Sequence, residues 1–147
     1  MTDDDGGERL AARVREIDPG GELIARLERD AREIARAFGL RYRAIEPERP
    51  HVKRRLGVCY ADGTIRIRLF HARSGRPLKY SSLVDTLCHE LAHLRHFNHG
   101  RRFQALYRRI LAHARRTGIY RPGPEPTPEP AVRRTTTQAL PQQLALF

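Results

Sequence analysis

His89-Glu90-Leu91-Ala92-His93 sets two imidazoles and a carboxylate at the H-E-x-x-H spacing, and His96 and His99 follow within six residues. On a helix, residues four apart share a face at about 6 Å along the axis, so His89 and His93 can aim nitrogens at one metal ion. Glu90 stands about 100° round from His89, in reach of a water on that metal without being a ligand. Two histidines leave zinc under-coordinated, so a third protein ligand is needed. Had the helix simply continued, His99 would lie about 9 Å beyond His93. The chain must therefore turn back, and Asn98, which tolerates left-handed backbone, with Gly100 just beyond, would let His99 swing in as that ligand. His96 lies roughly 10 Å from His89 along the axis and is expected at the rim of the site.

The chemistry follows from that ligand set. Three neutral imidazoles leave one position on Zn2+ for water, whose pKa the metal lowers towards about 7. Glu90 would take a proton as the water attacks a peptide carbonyl, then pass it to the leaving amine. Tyr80, Tyr107 and His96 are candidates to steady the oxyanion. The expected activity is a zinc-dependent metalloendopeptidase acting on protein or peptide substrates. The competing reading is a non-catalytic, zinc-stabilised module that binds nucleic acid. Glu90 discriminates between them, because a purely structural site has no use for an acid beside an open metal position.

The elements that must position these residues are legible around them. Ser82 can cap the helix that carries His89, with Asp85 in its first turn, one turn before His89 and able to fix its tautomer. Leu83, Val84, Leu87, Cys88, Leu91 and Ala92 make most of this helix apolar, so it belongs in the core with its histidines opening into a cleft. Upstream, Glu22 to Phe38 is a helix with Leu23, Leu27, Ala31, Ile34 and Phe38 on one stripe and Gly39 as its stop. Leu40 to Ile45 suits a short strand. Asp62-Gly63 reads as a two-residue hairpin turn, pairing Tyr60 with Ile65, Val58 with Ile67 and Leu56 with Leu69 on one face. Gly57, Cys59, Arg66 and Arg68 would take the other. A last helix from Arg101 to about Arg116 buries Phe103, Leu106 and Ile110, and Gly118 ends it.

Charge and cysteine content bound the partners. The net charge is +11 over 147 residues, and residues 51–117 alone carry fifteen basic and three acidic side chains. The excess thus lies in the segment that holds the histidines, an electrostatic footprint for DNA or RNA or a solubilising surface. Two cysteines, Cys59 and Cys88, make no disulfide framework, and the first residues lack the features of a signal peptide. No run of 18 apolar residues exists, so no membrane span is expected, and a cytoplasmic location is the simplest expectation.

The run from Leu56 to Tyr107 resembles the SprT-like and YgjP-like zinc metallopeptidase domains. SSLVDTLCHELAHL is similar to the SprT-like pattern, HLRHFNHGRRF to the YgjP-like one, and LGVCYADGTIRIRL to the strand pair before the active-site helix. The resemblance implies an α+β fold, a compact mini-gluzincin-like domain. In it a small antiparallel sheet packs on an N-terminal helix and a central H-E-x-x-H zinc helix. It also supports His99 as third ligand. The tryptophans common in YgjP-like sequences are missing, and Phe103 stands where an aromatic is expected. The expected organisation is an acidic segment over 1–20, partly disordered despite Leu10, Val14 and Ile17 at helical spacing. The metallopeptidase domain spans 21–118 and a proline-rich disordered tail spans 119–147.

That tail ends on Gln143-Leu144-Ala145-Leu146-Phe147. QLALF resembles the short peptide by which bacterial repair and replication proteins bind the sliding clamp. The resemblance implies a hydrogen bond from Gln143 and hydrophobic subsites for Leu144, Leu146 and Phe147. A spacer such as residues 121–131 has a typical span of about 30 Å, enough to tether the domain nearby.

Overall fold

The computed structural model describes residues 18–123. The Leu10, Val14 and Ile17 pattern, the greater part of the proline-rich spacer and the terminal Gln143, Leu144, Leu146 and Phe147 lie outside the described residues.

Helix α1 spans Pro19–Phe38 and starts three residues before Glu22. Proline at the first helical position loses only an N–H that would have been unsatisfied anyway, so Pro19 opens the helix instead of breaking it. Asp18 caps it by accepting the Gly21 amide at 3.0 Å. Gly39 closes it in the left-handed conformation (φ 64°), as its position implies. Leu27, Ala31 and Ile34 are fully buried and form the stripe that meets the core.

Three short strands follow: β1 Ala44–Pro47, β2 Gly57–Cys59 and β3 Thr64–Ile67, in the order β1-β3-β2. The sheet is mixed. β2 and β3 pair antiparallel as the hairpin requires, while β1 joins β3 in parallel, Ile45 opposite Ile65. Strand β1 also begins later than Leu40, which instead plugs the core beneath the end of α1.

The hairpin register differs from expectation by one residue. Gly57 pairs with Ile67, Val58 with Arg66 and Cys59 with Ile65. The loop holds three residues, Ala61 to Gly63: Tyr60 and Thr64 close it, with the Tyr60 amide donating to the Thr64 carbonyl at 2.8 Å. Gly63 takes positive φ (91°), and the Asp62 carboxylate accepts the Thr64 amide at 2.9 Å. Asp62 acting through its side chain lengthens the turn beyond the two-residue form. Because side chains alternate, that slip exchanges the two faces of β2. Gly57 and Cys59 now share a face with Ile65 and Ile67.

Helix α2, Tyr80–His93, carries the H-E-x-x-H residues and is buried along nearly its whole length. It starts two residues before Ser82, after Lys79, and no side chain caps it. Helix α3, Arg101–Arg116, packs its Phe103, Leu106, Ile110 and Ala114 stripe against α2, and Gly118 turns the chain away at φ 80°. The core lies where α1, α2, α3 and the sheet meet. Two arginines hold the long β1–β2 connection that places β2. Arg55 binds the buried Glu48 carboxylate at 2.7 Å, and buried Arg68 donates to the backbone carbonyls of Arg55 and Val52. The α+β class and the packing of sheet, first helix and central helix agree with expectation.

Candidate metal centre

Burial of α2 is what aims its polar residues. With Leu83, Leu87, Leu91 and Val84 committed to the core, His89, Glu90 and His93 are drawn inside with them, at 4%, 0% and 1% exposure. The helix then ends in tightened turns, the Leu94 amide bonding Leu91 and the Arg95 and His96 amides both bonding Ala92. Asn98 does not take left-handed backbone; no residue except glycine has positive φ among the described residues. Its side chain instead accepts the Gly100 amide at 3.1 Å, shaping the turn that returns His99 to the helix.

His89, His93 and His99 come together. The Nε2 atoms of His93 and His99 are 3.0 Å apart, and those of His99 and His89 3.3 Å. One ligand atom from each residue lies within 4.8 Å of the others. Nitrogens bound to tetrahedral zinc at about 2.0–2.1 Å stand about 3.3 Å from one another, so the donor set fits that ion. Protons fit it poorly. His93 Nδ1 is 3.0 Å from the His96 carbonyl and donates to it, which leaves its Nε2 a lone pair. If His99 Nε2 donates to that lone pair, it cannot accept from His89; if it accepts from His89, it faces His93 lone pair to lone pair. A cation among the three resolves both contacts.

The electrostatics point the same way. Burial, aided by neighbouring His99, pushes His93 down to about 4, and burial lowers His99 as well. Both rings are therefore neutral at neutral pH, the form that ligates a metal. His96 stays outside the cluster and serves His93 through its backbone carbonyl.

Phe103 is the residue whose role sequence reasoning missed. Its ring lies 4.9 Å from His89, 4.4 Å from His93 and 4.9 Å from His99 between centroids, a fully buried floor under all three imidazoles. The available signal was its place four residues after His99, on the first turn of α3. Asp85 also acquires a partner from far away in sequence, accepting the Tyr107 hydroxyl while the Tyr107 ring lies 5.3 Å from that of His89. Tyr80 likewise gives its hydroxyl to Asp30. Both tyrosine hydroxyls considered for the oxyanion thus donate to carboxylates.

Glu90 lies under β2. A side chain at Gly57 would come within 2.8 Å of Thr86 Cγ2 and 3.2 Å of Glu90 Cγ, so only glycine lets the strand approach this closely. Burial raises the Glu90 carboxyl well above the usual carboxylate range; Arg55 opposes that shift and Glu48 adds to it. The carboxylate is thereby made a stronger proton acceptor than a solvated one. Both cysteines are free and buried, and burial raises their thiols, as befits small core residues.

The family profile described as the WLM domain matches residues 14–124. A crystal structure of Wss1 from Saccharomyces cerevisiae is similar with a TM-score of 0.54 at 19% identity, over 58% of this chain and 71% of that one. The crystal structure of a Wss1 mutant from the same yeast is similar with a TM-score of 0.57 at 18% identity, over 69% and 88%. At such identities the likeness is one of fold. No curated protein matches the chain.

Proposed function

This chain belongs to the WLM domain family, and on that premise we propose that it is a zinc-dependent metalloendopeptidase. The observation that carries the reading is the convergence of three imidazole nitrogens beside a fully buried glutamate. The domain is metalloprotease-like, with protein as its substrate class. The motif resemblance to SprT-like and YgjP-like domains falls inside the WLM span and is a likeness of the active-site segment.

Zinc held by His89, His93 and His99 would supply Lewis acidity towards a carbonyl oxygen and towards water. The remaining steps are those of the chain itself. Glu90, held beneath Gly57, accepts the proton of the attacking water and returns it to the leaving amine. Phe103 keeps the imidazoles from splaying, and the His96 carbonyl holds His93 in one tautomer. β2 is an edge strand beside Glu90, so a substrate can extend along it and be gripped by its backbone with little sequence preference. The acid argues against a structural zinc module.

Chelation tests this directly. Full removal of the metal should abolish hydrolysis of an unstructured protein, and added Zn2+ should restore it. Undiminished hydrolysis by the metal-free chain would sink the proposal.

The partners follow from charge and tail. The basic excess over residues 51–117 supports DNA-associated proteins, including proteins crosslinked to DNA, as substrates. Among the described residues no helix is long and apolar enough to cross a membrane. The terminal QLALF supports recruitment to a bacterial sliding clamp through Gln143, Leu144, Leu146 and Phe147. A peptide of the final residues is expected to bind the clamp at roughly micromolar affinity, with about −8 kcal/mol of binding free energy. Removing residues 143–147 should abolish binding of the full chain while zinc content and hydrolysis persist. Equal absence of binding in both forms would defeat the tethering idea.

A further inference from the structure

A hollow of about 690 Å³ opens beside the start of α1, lined by none of His89, Glu90, His93 or His99. Its apolar walls come from three parts of the chain: Ile24 on α1, Pro47 and Pro50 where β1 gives way to the β1–β2 connection, and Leu69, Phe70 and Ala72 after β3. The charged groups that line it are already engaged or balanced. Asp18 accepts the Gly21 amide, and Glu48 is held by Arg55 and by the Arg49 amide. Arg68 donates to the backbone carbonyls of Arg55 and Val52, and Arg49 is exposed at the rim. Acids and arginines are thus matched, which favours neither an anion nor a cation as occupant. An apolar occupant gains, because it takes the exposed parts of Ile24 and Phe70 out of water.

The chain delivers such an occupant to the mouth of the hollow. Asp18, the first described residue, lines it, and the first turn of α1 stands against its wall. A β-carbon built on Gly20 would lie 3.6 Å from Phe70 Cε2 and 3.7 Å from Leu69 Cδ1. Asp18 itself has φ −119° and ψ 70°, outside the helical region, so the chain before it cannot continue the axis of α1 and changes direction there. Leu10, Val14 and Ile17 in that preceding segment fall within about 60° of one another at helical spacing, one apolar stripe flanked by Arg9, Arg13, Arg15 and Glu16. Val14 and Ile17 also lie inside the span matched to the WLM domain.

We propose that residues 10–17 dock in this hollow as an amphipathic helix about 12 Å long, with Leu10, Val14 and Ile17 against Ile24, Leu69 and Phe70. The direct join through Asp18 gives the segment a high effective concentration at the hollow. The docked helix also meets Pro47 to Pro50, the start of the connection that places β2 over Glu90. The Val52 amide in that connection bonds the Arg49 carbonyl at 3.1 Å. The segment therefore braces the connection, and through it the strand that roofs Glu90.

The experiment uses the zinc-loaded full chain, isotope-labelled for amide NMR, with a nitroxide attached to Ala12→Cys. Position 12 falls roughly opposite the apolar stripe, and both native cysteines are buried, so the label goes to the new thiol. It is expected to broaden the amides of Arg49, Phe70, His71 and Ala72 while that of Gly39, at the far end of α1, stays sharp. Val14→Asp puts a charge on the stripe and should abolish the broadening. It should also speed exchange of the Val52 amide by about tenfold or more, as when the burial of one valine side chain is lost. Sharp amides at Arg49 and Phe70–Ala72 with the label in place, or broadening that survives Val14→Asp, overturn the docking. Unchanged Val52 exchange in a Val14→Asp chain that has lost the broadening overturns the bracing. Nitroxide-bearing and isotope-labelled chains are also mixed, and broadening seen only between chains would assign the hollow to a second copy. Shifts at Phe70–Ala72 on removing residues 143–147, but not with Val14→Asp, would assign it to the tail. Either result overturns residues 10–17 as the occupant.

Discussion

Glu90→Gln should retain zinc and fold while losing hydrolysis by about 10²- to 10⁴-fold in kcat, the usual contribution of a positioned general base. That corresponds to about 3–5 kcal/mol of transition-state stabilisation. Glutamine matches glutamate in size, so it sits under Gly57 without new clash, and it cannot accept a proton at neutral pH. Stability should not fall. Burial already penalises the charged carboxylate, and a neutral amide removes that cost. The variant is expected to melt at or above the wild-type temperature with the same zinc stoichiometry. Circular dichroism, metal analysis and hydrolysis of an unstructured protein read all three. Turnover within threefold of wild type, from protein freed of contaminating proteases, would remove Glu90 from the mechanism.

What could be read from the chain differs sharply between helices and sheet, for physical reasons. Helices α1, α2 and α3 announce themselves because period-3.6 stripes and glycine stops are local. The ligand spacing around His89 and His93 is local too. The register of β2 depended on one choice of turn, and Asp62 made the loop three residues long through its bond to the Thr64 amide. Alternation could not correct the error. Gly57, Val58 and Cys59 are all buried, so neither face of β2 looks polar. The face against α2 is chosen by smallness, since Gly57 must clear Thr86 and Glu90. The parallel pairing of β1 with β3, the Tyr107 hydroxyl on Asp85, and the Phe103 floor join residues far apart in sequence or on separate elements. No local periodicity reports such contacts. Asn98 marks the turning point in the sequence, but it turns the chain through its side chain and not through left-handed backbone.

The two histidines beyond H-E-x-x-H separate the proposed ligand set from a merely histidine-rich turn. His99 presents Nε2 at 3.0 and 3.3 Å from the two helical ligands, whereas His96 contributes a backbone carbonyl to His93 Nδ1. His99→Ala should therefore lose a ligand. His96→Ala should keep the carbonyl, and with it the tautomer of His93. Supporting partners of metal ligands contribute roughly 10- to 100-fold in affinity, so deleting a ligand itself should exceed that range. Zinc affinity is best measured by competition with a chromogenic chelator, which reads the site without reference to turnover. The expected order is wild type equal to His96→Ala, with His99→Ala weaker by more than about 100-fold and inactive at limiting zinc. Phe103 stays packed on His89 and His93 in either variant, so the helix and core should persist. Wild-type affinity in His99→Ala, with zinc lost instead from His96→Ala, would reassign the third ligand and with it the turn that brings His99 home.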